Sequence, residues 1–598
     1  MDRPSVRGIA ARVRQSRCAV DEAAAALARA DAYARVQPQA WITRLPDDAV
    51  LEQARRVDAR LAAGEDLPLA GVPYAVKDNI DAAGLPTTAA CPAFSREPAE
   101  SATVVRRLQD AGAVLLGKTN LDQFATGLVG ARSPYGIPAC VFDRRYVSGG
   151  SSAGSAVLVG AGVVAFALGT DTAGSGRVPA AFNGLTGFKP SRGRWSTHGV
   201  VPACRTLDCV SVFTADAADA ALVDGVLAAF DAGDPYSRSS PGDAPPWPAS
   251  VRVGIALPGQ LAWFGDAGSE RLFGAALERL RVAGAMTVEV DIAPLLAVAQ
   301  LLYSGPWVAE RLAAIEPLMR ANPGAVHPVV RGIIQGGYGV CGADVFRGQY
   351  ALQEHLRNTA ALWEKIDVLA LPTAPTIYRI AEVLAEPVAL NSNLGYYTNF
   401  VNLLDMSAIS LPAGFRDNGT GFGASLIGPA WADRALLDLA ARYEAAGPMA
   451  PLPELDLDTD TAARSAGQKV ALAVVGAHLA GMPLHWQLSS RGARLVQATR
   501  TAPLYRLYAM AGANPPKPAL VHVGPGGHGI AVEVYELDMA AFGSFVHEVP
   551  APLAIGTVTL ADGTAVSGFV AEPRALEGAR DISALGGWRA FIEQARQG

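Results

Sequence analysis

Three residues of this chain have the types needed for nucleophilic catalysis by a hydroxyl with a neighbouring base. They are Ser151 and Ser175, each set among glycines, and Lys77, one of 6 lysines beside 44 arginines. The serines stand 175 − 151 = 24 positions apart, in Gly149-Gly150-Ser151-Ser152 and Thr172-Ala173-Gly174-Ser175-Gly176. Glycines let a backbone bend sharply and turn its N–H groups inward. Such a loop can supply both a hydroxyl nucleophile and donors for a tetrahedral oxyanion. The plain alternative is a Gly-Ser loop without chemistry. A serine hydroxyl attacks an amide poorly unless a neighbour removes its proton, and lysine can do so once neutral, whereas arginine stays charged. An ordinary lysine, with a pKa of about 10.4, is neutral in roughly one molecule in two thousand at pH 7. A basic Lys77 therefore has to be buried, since desolvation can lower that pKa by about three units.

The elements around these residues read as an α/β frame. Lys77 lies in Gly71-Val-Pro-Tyr-Ala-Val-Lys-Asp-Asn-Ile80, whose β-branched and aromatic residues predict a strand running into a polar turn. Ala113 to Leu116 predicts another strand before Gly117-Lys118-Thr119-Asn120. Between the serine turns, the apolar Ala156 to Leu168 is too short to span a membrane and predicts a buried helix or helix-strand pair. The first 65 residues or so predict helices over Arg17 to Ala34 and Asp47 to Ala63, joined by a loop holding Trp41 and Pro46. Asp231 to Ser250, rich in Pro, Ser, Asp and Gly, predicts an exposed loop, followed by a strand over Val251 to Leu257 and a helix over Ser269 to Ala283. Pro306 suits the first turn of a helix, which places Arg311 inside it and Tyr303 on the loop before it. Taken alone, that tyrosine and arginine read as a packing residue and a surface charge.

Length, charge and cysteines narrow the classes. The 598 residues, half of them hydrophobic, suffice for two or more domains with a large core. A net charge of −6 without a basic patch argues against nucleic acid as the partner. The six cysteines show no CxxC spacing, which favours reduced thiols and a cytoplasmic setting over a disulfide framework or zinc site. The arginine-bearing N-terminus lacks the apolar stretch of a secretory signal and predicts a surface helix, with a transit peptide, poor in acidic residues before Asp21, as the alternative. Ala446 to Gly467 is proline- and aspartate-rich without periodicity, marking a linker and a boundary near 460. Beyond it, Val470 to Gly476, Ala519 to Val523, Ile530 to Leu537 and a hairpin over Thr557 to Val570 with an Asp562-Gly563 turn predict a strand-rich module. His478 and His485 border a turn there and read either as a second active site or as structural histidines. Gly524 to Gly529 lacks the lysine of a phosphate loop and predicts a plain loop.

Ser148-Gly-Gly-Ser-Ser-Ala-Gly154 and Asp171-Thr-Ala-Gly-Ser-Gly-Arg-Val-Pro179 together resemble the amidase signature family. Gly71 to Ile80, Gly117 to Gly127 and Phe188-Lys-Pro-Ser191 resemble further motifs of that family. The resemblance implies a Ser-Ser-Lys triad: Ser175 the nucleophile, Ser151 the bridging serine after a cis peptide, and Lys77 the base. It also implies an oxyanion hole from the backbone of Thr172, Ala173, Gly174 and Ser175, with Arg177 bracing the loop. Lys118 reads as a structural lysine, the alternative being a second base. Gly127 is expected to offer a backbone group to the substrate. Gly176 departs from the family's hydrophobic residue, a change expected to open space beside the serine.

Tyr303 and Arg311, Val368 to Thr373 and Gly395 to Phe415 resemble the allophanate hydrolase subgroup. That implies a carboxylate-bearing urea derivative, allophanate, bound by Tyr303 and Arg311, with no metal or organic cofactor. The implied partner enzyme is a urea carboxylase, the implied assembly a homodimer, and neither nucleic acid nor membrane takes part. The expected fold is an α/β amidase signature domain over 1–455, with a mixed central sheet flanked by helices. A linker over 456–467 and a C-terminal α+β, strand-rich domain over 468–598, similar to the γ-glutamylcyclotransferase fold, complete it. Two other readings stay open: an amidase of different specificity (malonamide, arylamide, or the A subunit of a tRNA-dependent amidotransferase), and a non-catalytic scaffold in a urea carboxylase complex.

Overall fold

A computed structural model describes residues 3–16, 18–242, 246–448, 450–457, 469–489, 491–512 and 516–597. The chain divides into two compact units, Met1–Leu457 and Asp458–Gly598. Of the segment read as a linker, everything from 458 on lies outside the described residues.

The first unit is built on an eleven-stranded mixed sheet, counted among the described residues. Its strands in chain order are β1 (Trp41–Arg44), β2 (Pro73–Lys77), β3 (Val114–Thr119), β4 (Phe166–Asp171), β5 (Thr186–Lys189), β6 (Cys209–Thr214), β7 (Val251–Ala256), β8 (Ala285–Val290), β9 (Val368–Pro372), β10 (Ser407–Phe415) and β11 (Gly421–Gly428). In space they run β1-β3-β2-β4-β6-β5-β10-β11-β9-β7-β8. At one end β3, β2 and β4 are parallel, and at the other β9, β7 and β8 are parallel; the strands between them pair antiparallel. β2, β3 and β4 are buried along their whole length, as continuous apolar parallel strands must be. Tyr74 and Phe166, partners in the β2–β4 register, stack with ring centroids 5.1 Å apart.

Helices cover the sheet by the usual helical spacing. Asp47–Ala62 buries Val50, Ala54, Val57 and Leu61 and leaves its charges outward. Ala153–Gly160, apolar but for Ser155, whose hydroxyl donates to the Leu168 carbonyl, is buried on every side and packs on β4. Two expectations need correction. The loop around Trp41 contains β1, which pairs antiparallel with β3 and closes the sheet edge. Tyr303 stands near the end of its own helix, Ala293–Ser304, and not on a loop; Gly305 and Pro306 then break the chain before Trp307–Ala321, which carries Arg311.

In the second unit β12 (Lys469–Val474), β13 (Arg494–Arg500), β16 (Ala531–Asp538), β17 (Leu553–Thr559) and β18 (Ala565–Ala571) form a sheet of order β13-β16-β12-β18-β17. A smaller sheet runs through β15 (Pro518–His522), β14 (Tyr505–Ala509) and β19 (Arg580–Asp581). Val474, Tyr505, Val534 and Phe569 belong to its separate core.

Candidate active site

β2 and β4 are parallel neighbours, so their C-terminal ends lie side by side, where ligands of parallel sheets commonly bind. Lys77 ends β2, while Thr170 and Asp171 end β4. Lys77 Nζ, fully buried, lies 2.7 Å from Ser151 Oγ and 2.8 Å from Thr170 Oγ1. No carboxylate forms an ion pair with it among the described residues. Burial therefore pulls its pKa down to about 7, against the weaker opposing fields of Asp122, Asp208 and Asp171. Near neutral pH much of this amine is uncharged and can accept a proton from Ser151.

Lys118 makes the contrast. It is as deeply buried, but its Nζ sits 3.2 Å from Asp78 and 3.0 Å from Thr87 Oγ1. Burial lowers its pKa too, with the Asp78 carboxylate opposing that fall, so the two lysines of neighbouring strands differ in their partners: a carboxylate for Lys118, serine and threonine hydroxyls for Lys77.

The two serine turns are held together by the loop 122–132. Asp122 N donates to the Ser151 carbonyl at 3.0 Å, and Gly150 N donates to Leu128 O at 2.8 Å. The Gly150–Ser151 peptide is cis. Ser175 Oγ, buried, reaches the Gly127 carbonyl at 3.5 Å and is not bonded to Ser151 in this arrangement. Serine links of this kind often tighten only when substrate is bound. Gly127 has to be glycine, because a Cβ there would come within 2.5 Å of the Asp122 carboxylate. Ser152 is turned to other work, its Oγ donating to the Thr170 carbonyl at 3.2 Å.

Asp171 organises the nucleophile turn. Its carboxylate accepts from Gly174 N and Gly176 N, both at 2.9 Å, and from Arg177 Nε at 2.9 Å. Burial alone would raise its pKa; the Arg177 guanidinium and Gly176 N–H outweigh that and hold it below the usual carboxylate range. This removes Gly174 from the expected oxyanion donors, since its N–H is spent on Asp171. Thr172, Ala173 and Ser175 keep backbone N–H groups that no turn or loop acceptor takes among the described residues. Nor does Gly176 open space: a Cβ there would lie 2.5 Å from Cβ and Oγ of Ser211 on β6, which already fills the volume.

Two residues that sequence reasoning missed support this turn. Thr170 offers Lys77 its second hydroxyl partner and is itself held by Asn79 Nδ2 at 3.2 Å. Asp208 accepts from the Thr172 hydroxyl, from Ala203 N at 2.8 Å and from Cys204 N at 3.2 Å. Burial lifts its pKa to about 6 despite those donors. Asp208 stands outside the glycine-rich runs, and nothing in the position of Thr170 beside Gly169 shows that it faces Lys77, so only the tertiary fold reveals their roles.

Arg311 is 2% exposed and donates from Nη1 to Thr126 Oγ1 at 3.1 Å, one residue before Gly127. Its guanidinium lies 5.8 Å from the centre of the Tyr303 ring. The adjoining Glu310 is not its partner, being bound to Thr206 N and Oγ1, each at 2.8 Å. In the second unit, His478 Nε2 pairs with Gln487 Oε1 at 2.7 Å and its ring stacks on Phe569 beside a cavity of about 150 Å³. His485 Nδ1 lies 3.2 Å from the His478 carbonyl. Among the described residues no helix is long and apolar enough to cross a membrane.

Comparison with known proteins fits this arrangement. Residues 23–437 match the Amidase family, and residues 470–593 match the allophanate hydrolase C-terminal domain. A urea amidolyase of Lachancea kluyveri is 46% identical over 576 residues, which cover 93% of this chain and 31% of that protein. The chain thus spans about a third of the length of the urea amidolyases it matches. A solved allophanate hydrolase of Kluyveromyces lactis is 44% identical with a TM-score of 0.67, covering 93% of this chain and 94% of that one. The A subunit of glutamyl-tRNA(Gln) amidotransferase from Deinococcus radiodurans is 36% identical over 66% of this chain and 88% of its own length. The chain therefore belongs to the amidase signature family, with an allophanate hydrolase C-terminal domain following the amidase domain.

Proposed function

We propose that this chain is an allophanate hydrolase. Ser175 attacks the terminal amide carbon of allophanate while Ser151 takes its proton and passes its own to Lys77. The N–H groups of Thr172, Ala173 and Ser175 hold the oxyanion, each such donor being worth about 3 kcal/mol to the transition state. Ammonia leaves with the proton returned through the same chain. Water then attacks the acyl-serine and releases N-carboxycarbamate, which loses carbon dioxide. Arg311 holds the substrate carboxylate, with Tyr303 beside it and Gly127 lending its backbone.

The observation that carries this reading is the 2.7 Å contact between Ser151 Oγ and a fully buried lysine that has hydroxyl partners and, among the described residues, no ion pair. Buried Arg311, which forms no ion pair with a carboxylate among the described residues, supports an anionic substrate over a neutral one. The amidase domain is assigned to 1–455 and the C-terminal domain to 468–598, joined by 456–467. A cytoplasmic homodimer supplied by a urea carboxylase completes the proposal.

Ammonia release from allophanate, set beside biuret, urea, malonamide and glutamine, tests it. Allophanate should be preferred, and Ser175→Ala should abolish turnover. Preference for glutamine or malonamide would assign the chain to another specificity. Ammonia release by Ser175→Ala equal to wild type would remove the triad.

A further inference from the structure

Two guanidiniums meet on Thr126. Arg311 Nη1 donates to its hydroxyl at 3.1 Å, and Arg132 Nη1 donates to its carbonyl at 2.9 Å. Each arginine is 2% exposed, and the Nε of each is buried without a hydrogen-bond partner among the described residues. Arg132 has one more anchor, the Pro387 carbonyl at 2.6 Å from Nη2. Neither guanidinium forms an ion pair with a carboxylate among the described residues. The nearby Asp122 carboxylate accepts instead from the backbone N–H groups of Gly130 and Arg132, both at 2.9 Å.

Burying one charge without a counter-charge is expensive, and burying two together adds their mutual repulsion. Asp208 and Glu310 act on Arg311, and Asp122 on Arg132, only from beyond contact, so a carboxylate touching both guanidiniums is left for a ligand to bring. Arg132 and Tyr303 line the same cavity, of about 510 Å³, and Tyr303 lies over Arg311. The carbonyl next along from Thr126, that of Gly127, faces Ser175 Oγ at 3.5 Å. An anion between the two arginines would thus sit within one residue of the nucleophile's contact.

We infer that Arg132 is a specificity-determining residue of the site, a second guanidinium that receives the substrate carboxylate together with Arg311. This rests on the allophanate reading for the identity of the substrate, though not for the charge of the ligand. Two cations facing one small ligand also favour a doubly charged species. N-carboxycarbamate, formed on deacylation, is such a dianion, and malonate is its carbon isostere.

The competing account makes Arg132 a strut that only joins the Thr126 and Pro387 carbonyls. Arg132→Gln and Arg132→Lys, in the full chain, separate the two. Malonate should raise the melting temperature of wild type and of Arg132→Lys, and should fail to raise that of Arg132→Gln. In kinetics, Arg132→Gln should lower kcat/KM on allophanate on the order of a hundredfold, mostly through KM, as expected when charge-assisted bonds to a bound anion are lost. Biuret, which carries a neutral amide in place of the carboxylate, should be affected far less, and Arg132→Lys should recover part of the loss. Equal malonate protection of Arg132→Gln and wild type, or none in wild type, overturns the inference. So does an equal loss on allophanate and biuret. Wild type that releases no ammonia from allophanate refutes the proposed function alone, because malonate protection still decides the role of Arg132.

Discussion

Replacing Lys77 by Met should make the protein inactive and, at neutral pH, more stable. The methionine side chain has nearly the same length and needs no desolvation of a charge. Lys77 is fully buried and its pKa falls from 10.5 to about 7. Between those values the unfolded chain binds the extra proton, so the stability contributed at this position rises with pH across the window and is lowest at and below pH 7. At pH 7 the cost is about 4 kcal/mol, at 1.36 kcal/mol per pKa unit. Against it stand the contacts to Ser151 and Thr170, each worth roughly 1 kcal/mol. The net gain for Lys77→Met at pH 7 is about 2 kcal/mol. At about 2.1 cal/mol/K of unfolding entropy per residue, that gives roughly 2 °C for a unit of this size. At pH 10 most of the charge penalty has gone while the lost contacts remain, so the variant should melt below wild type. The assay is the melting difference between variant and wild type from pH 7 to 10, in which other titrating groups cancel. A variant that is less stable at pH 7 and shows no change of sign would refute a neutral buried Lys77.

The same amine sets the activity profile. kcat/KM should rise about tenfold from pH 6 to 8 and flatten above pH 8, whereas an unshifted lysine near 10.4 would give a hundredfold rise continuing to pH 9. Gly176→Ala should strongly destabilise the first unit because its new methyl meets Ser211 at 2.5 Å; Ser211→Gly in the same chain should restore much of the melting temperature, and a double variant no better than the single one would contradict the packing. Glu444 accepts from Thr186 Oγ1 and Ala217 N, and burial, aided by Asp216, raises its pKa to about 7. A raised carboxyl stabilises the fold below its unfolded value near 4.5 and loses that contribution as pH climbs through 7. Glu444→Gln should therefore melt less pH-dependently than wild type between pH 5 and 8, and parallel curves would show that Glu444 does not titrate in that window.

Much of the frame is legible because burial on both faces writes itself as continuous apolar runs, as in β2 and β4, and because one-sided burial gives the spacing seen in Asp47–Ala62. β1 is not legible: four residues, Trp-Ile-Thr-Arg, are too few to show a period, and pairing with β3 alone makes them a strand. Arg132 is equally hidden, since nothing in its sequence neighbours separates it from 43 other arginines. The deepest limit concerns charge. Sequence singles out Lys77 and Lys118 alike, by their rarity and their motifs, and puts Asp78 directly beside Lys77. Yet consecutive strand residues point to opposite faces. Asp78 therefore leaves its sequence neighbour and pairs with Lys118, which lies across from Val76 in the β2–β3 register. The lysine adjacent to an aspartate in the chain is thus the one that forms no ion pair among the described residues. Burial lowers the pKa of both amines, and pleat and register decide which of them faces a carboxylate and which faces the Ser151 hydroxyl that needs a base.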